Sequence, residues 1–68
     1  MKVYKLYYWQ EQIGKEYYLS KEEAITDAIR LIQKWQFDCG IFNTIDYIRQ
    51  KLDYYINIYT LEIDEVDM

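Results

Sequence analysis

From Lys2 to Trp9 the chain reads Lys-Val-Tyr-Lys-Leu-Tyr-Tyr-Trp, a run of aromatic and β-branched residues that predicts a strand. Side chains alternate across a strand, so Tyr4, Leu6 and Tyr8 share one face and Val3, Lys5, Tyr7 and Trp9 the other. The lysine marks the second set as outward, which exposes Tyr7 and Trp9. Residues 10–15 are polar, contain Gly14 and predict a hairpin connection of moderate length. A short second strand over 16–19 follows, with Tyr17 and Leu19 inward and Tyr18 outward.

At Ser20 the period changes from two to between three and four. Ser20-Lys21-Glu22-Glu23 has the form of a capping box, in which the Ser20 hydroxyl accepts from the Glu23 amide and the Glu23 carboxylate returns to the Ser20 amide. Ala24, Ile25, Ala28, Ile29, Ile32 and Trp35 then form one apolar stripe, predicting a helix over about 21–36. Its first turn carries Glu22 and Glu23 and its end Lys34, complementing the helix dipole. Phe37 to Phe42, with Gly40, reads as a loop whose aromatics tuck under the helices. Asn43 or Thr44 caps a second helix with Asp46 in its first turn and a stripe of Ile45, Ile48 and Leu52, ending near Asp53.

Tyr54 to Val66 reads as a long final strand, but its apolar residues conflict. Ile56 and Ile58 have one parity, and Leu61 and Ile63 the other. A bulge near Tyr59-Thr60 reconciles them, as does cover on both faces of the early part. Val66 to Met68 should fray. The expected order is β-β-α-α-β: an α+β fold with a three-stranded antiparallel sheet and two helices on one face. All of 1–68 forms one domain.

Composition then narrows the chemistry. The chain has no histidine and no proline, but nine tyrosines, two tryptophans and two phenylalanines. Without histidine the usual general base and the commonest metal ligand are missing. No serine or cysteine stands in a nucleophile context, and there is no glycine-rich phosphate loop or cysteine cluster. The sequence therefore predicts a non-enzymatic protein with no cofactor and no metal. A chain of 68 residues buries only about 60% of its unfolded surface, too little to hide so many rings, so some aromatics must face outward. Contiguous exposed aromatics mark contacts with a partner or a second copy.

Charge adds one feature. Residues 1–61 carry eight acids and eight bases, and Glu62, Asp64, Glu65 and Asp67 supply the whole net charge of −4. With no basic footprint, direct nucleic-acid binding is not expected. Glu62 and Asp64 would project from one strand face about 6.8 Å apart, near the repeat of phosphates along a nucleic-acid strand. An acidic DNA mimic is thus an alternative reading. No stretch is apolar enough to span a membrane, and the first residues lack the form of a signal peptide. Cys39 has no partner for an internal disulfide and no activating neighbour, so it reads as a small hydrophobe in a cytoplasmic protein.

Three segments carry a resemblance: the opening Lys-Val-Tyr-Lys-Leu-Tyr-Tyr strand, the Tyr-Leu-Ser-Lys-Glu-Glu-Ala step into a helix, and the closing Tyr-Ile-Asn-Ile-Tyr-Thr-Leu-Glu-Ile-Asp-Glu segment. Together they resemble small accessory proteins encoded by phages and prophages of low-GC Gram-positive bacteria, some of which are anti-CRISPR or other anti-defence inhibitors. Residue usage rich in Ile, Lys, Tyr and Asn fits A+T-rich codons of that origin. The resemblance implies an inhibitor or modulator of a host or defence protein. Candidate protein-binding residues are Tyr7, Trp9, Tyr18, Glu62, Asp64 and Glu65. A self-associating accessory protein, a homodimer through the outer sheet face, is the competing expectation.

Overall fold

A computed structural model describes residues 1–36 and 40–68, with the backbone alone for 41 and 42. β1 (Lys2–Tyr8) and β2 (Glu11–Tyr18) form a hairpin, followed by α1 (Lys21–Trp35), a 3₁₀ turn (Gly40–Asn43), α2 (Ile45–Gln50), α3 (Leu52–Ile58) and β3 (Leu61–Asp67). The sheet is antiparallel in the order β2-β1-β3. The expected α+β class, sheet and order of elements hold. The expectations for Phe37, Cys39 and the Phe42 side chain lie outside the described residues.

The hairpin is tighter than expected. Trp9 and Gln10 alone connect the strands, both in the left-handed region with φ of 52° and 68°. Two left-handed residues are the geometry of a type I′ turn, whose twist matches that of the flanking strands. β2 consequently begins at Glu11 rather than 16. Its pairing is regular from Tyr8↔Glu11 to Leu6↔Ile13, and the next pair is Tyr4↔Tyr18. Residues 14–17 thus stand opposite Lys5 alone, a wide bulge that shifts the parity of the strand's end. Tyr18 therefore points inward at 1% exposure, while Tyr17 and Leu19, expected inside, are exposed.

α1 forms as the stripe predicts. The Ser20 hydroxyl accepts from the Glu23 amide at 3.2 Å, while the Glu23 carboxylate accepts from the Leu19 amide, one residue earlier than expected. Ala24, Ala28, Ile29 and Ile32 are buried against Leu6, Tyr18 and Leu61 from the sheet and Ile48 and Tyr55 from α2 and α3. Trp35, assigned to the same stripe, is 38% exposed because it sits at the helix end.

The second helical segment runs further than expected and breaks at Lys51. Thr44 caps α2 by accepting from the Tyr47 amide at 3.2 Å. Residues 54–58, expected as strand, are helical. Leu52, Tyr55, Ile56 and Tyr59 recur at three- and four-residue spacing and pack on the core, which a strand could not arrange. α3 ends through Thr60 at φ 54°, and β3 starts at Leu61 with its own parity. That reversal, not a bulge at Tyr59-Thr60, resolves the conflict between Ile56 and Ile58 on one side and Leu61 and Ile63 on the other. β3 pairs with β1 along its whole length, from Tyr8↔Leu61 to Lys2↔Asp67, and Met68 N–H donates to Met1 O at 2.7 Å. The segment expected to fray is thus paired in the sheet as far as Asp67.

One departure concerns β1 itself. Leu6 is fully buried on the helix side with Tyr4 and Tyr8 packed beside the core, as expected. Val3, of opposite parity and paired with Val66, is fully buried too. No helix among the described residues is long and apolar enough to cross a membrane.

Candidate aromatic binding surface

The hairpin turn and the α3–β3 junction are tied together, since Trp9 N–H donates to Thr60 O at 3.2 Å. Beside that bond, rings from β1, the hairpin turn, α1, α3 and the turn after α3 make a row of successive contacts. Trp9 meets Tyr8 edge-on with centroids 6.4 Å apart, Tyr8 lies 5.1 Å from Trp35, and Trp35 lies 5.2 Å from Tyr59. Tyr59 stacks on Tyr55 at 6.3 Å, and Tyr55 touches Tyr54 at 5.4 Å. These are the separations at which aromatic pairs attract, each contributing about 0.5–1.5 kcal/mol beyond burial. The Tyr59 hydroxyl donates to Gln36 Oε1 at 3.1 Å and fixes the middle of the row.

The row passes from core to surface at both ends. Tyr55 is buried, Tyr8 and Tyr59 are half-buried, and Trp35 is partly open. Trp9 is 67% exposed and Tyr54 60% exposed. Ile58 at the end of α3 is exposed as well. Rings held by neighbouring rings lose little freedom on binding, which is the property of a preorganised contact surface.

Of the residues expected to bind, Trp9 heads this row. Tyr7 is half-buried on the sheet face that also carries Val3, where the register sets it beside Glu62, with Lys5 beside Asp64. Tyr18 is a correction: the bulge turns it into the core, out of reach of a partner. The three acids are divided. Glu62 and Asp64 share the face of Tyr7, whereas Glu65 lies opposite Tyr4 on the helix face. There it accepts from the Tyr4 hydroxyl at 3.0 Å and pairs with Lys2 at 3.7 Å. The bond to Glu65 holds the Tyr4 phenol above its usual range, with desolvation adding to it. Glu62 and Asp64 thus share a face, as the acidic-mimic reading expects, and Glu65 does not join them.

Tyr54 and Tyr59 were missed from the sequence because residues 54–59 read as strand, and Trp35 because it read as part of the inward stripe of α1. The spacing of Leu52, Tyr55, Ile56 and Tyr59 was the available signal. Among the described residues no cluster of three or more metal-binding side chains occurs. No protein-family model matches the sequence, and no curated protein or solved structure matches it.

Proposed function

We propose that this chain is a non-enzymatic interaction protein that seats the Trp9 end of its aromatic row in an apolar pocket of a larger host or defence protein. The observation that carries this reading is the conformation of Trp9. A bulky side chain in the left-handed region costs about 1–2 kcal/mol, and Asn-Gly would make the same turn without that strain. Strain kept at an exposed residue is a signature of a functional position. Trp9 is strained, exposed and braced by Tyr8.

The test is capture from lysates of low-GC bacteria, comparing the native chain with Trp9→Asn/Gln10→Gly. Relief of strain outweighs the lost Trp9–Tyr8 contact, so the variant should melt higher, by about 1 kcal/mol of stability. It should also lose the stoichiometric protein captured by the native chain. Retention of that protein by the variant would sink the reading, as would a native chain that captures none and scatters light as a dimer.

A further inference from the structure

The wide bulge in β2 opens a groove of about 600 Å³ against α1, within the size range of small-molecule sites. Its walls are Gly14 and Lys15 from the bulge and Asp27, Arg30, Leu31, Gln33 and Lys34 from the helix. Asp27, Arg30, Leu31 and Lys34 recur at three- and four-residue spacing and so line one face of α1.

The bulge is built rather than loose. The Gln12 side chain donates to the carbonyls of Lys15 and Glu16, at 3.4 and 2.5 Å. The Lys15 amide donates to the Tyr18 hydroxyl at 3.1 Å, and that hydroxyl donates to Asp27 Oδ2 at 2.6 Å. Gly14 is left-handed at φ 73°, and a Cβ there would collide with the Tyr18 hydroxyl. The bulge thus has a fixed shape, held by the sheet on one side and α1 on the other. Bulges are over-represented at sheet edges, where β2 lies, and beside active sites, where they re-aim side chains.

The groove is basic in an acidic protein. Lys15, Arg30 and Lys34 face one acid, Asp27, whose two oxygens are already engaged by Tyr18 and by Arg30 at 3.4 Å. Among the described residues no carboxylate pairs with Lys15 or Lys34. Leu31, half-buried, supplies an apolar wall beside these charges.

We propose that this groove binds a small anionic ligand with an apolar body, its charged group set between Lys15 and Lys34 and its body against Leu31. The proposal is independent of the aromatic row and stands if that surface binds nothing.

1-Naphthyl phosphate is a probe of this chemistry, with 1-naphthol and inorganic phosphate as its halves. Titrated into ¹⁵N-labelled protein, it should shift the amides of Gly14, Lys15 and residues 27–34. It should saturate at a concentration about tenfold below either half, equivalent to about 1.4 kcal/mol. Lys15→Gln/Lys34→Gln should weaken it about tenfold, while Lys21→Gln/Lys51→Gln, which removes equal charge elsewhere, should not. Equal binding of naphthol would reduce the groove to a greasy patch and overturn the proposal. So would shifts centred on Trp9, Trp35 and Tyr54, or equal weakening by the control pair. Tighter binding of an oligoglutamate peptide at the same amides would make the site a dock for an acidic protein segment, which also overturns it.

Discussion

The Tyr18 hydroxyl joins two elements at one point: it accepts from the Lys15 amide of β2 and donates to Asp27 of α1, while its ring fills the core beneath the helices. Burial raises its pKa above the ordinary value of 10.0, the bond to Asp27 raises it further, and the Lys15 amide partly opposes both. A phenol whose folded pKa is raised stabilises the fold fully below the unfolded value. That contribution is lost as pH climbs through the folded one. Stability should therefore hold up to the ordinary tyrosine range and fall above it. Tyr18→Phe should cost about 1 kcal/mol near neutral pH, the lower end for an orphaned acceptor because Asp27 keeps some contact with water. The variant should also flatten the alkaline fall, measured by urea melts across pH; an unchanged alkaline limb would remove Tyr18 from this role. None of this was legible from the sequence. Strand alternation counted from residue 16 sends Tyr18 outward, and only the four residues set against Lys5 reverse it.

Among the elements, α1 was the most legible, because its cap and its stripe are local signals that agree. Ile29 and Ile32 are at the centre of its buried face. Ile29→Ala or Ile32→Ala should cost about 2–5 kcal/mol, against about 1 kcal/mol for Ser20→Ala. Thermal melts that rank them the other way would contradict the helix's buried face. The hairpin was legible as strands but not as a turn, since Trp-Gln carries none of the glycine or asparagine that left-handed positions favour. α3 was misread for another reason. Its Tyr, Ile and Asn residues are average helix formers at best and favour strands where aromatic or β-branched, so propensity outvoted the spacing of Leu52, Tyr55, Ile56 and Tyr59. Packing on the core decides such a segment, and packing is not a local property.

At the scale of the whole molecule, a body of 39 × 21 × 17 Å leaves few surfaces that could bind a partner. The acidic strand β3 is paired throughout, with Glu65 tied to Tyr4 and Lys2, and its charges are split between two faces. The aromatic end is continuous from Trp9 to Tyr54 and draws on β1, α1, α3 and the turn before β3. Its position depends on long-range closure of the hairpin turn against Thr60, so the sequence supplied the rings but not their line. A contact made by such rings depends little on salt, unlike one made by exposed acids. Hydrogen exchange of the native chain, free and with its captured protein, locates the contact most directly. Slowed exchange should gather at residues 8–10, 54 and 58–60, where the row approaches the surface. Slowing confined to β3, or to residues 27–34 of α1, would contradict the assignment of the aromatic end as the binding surface.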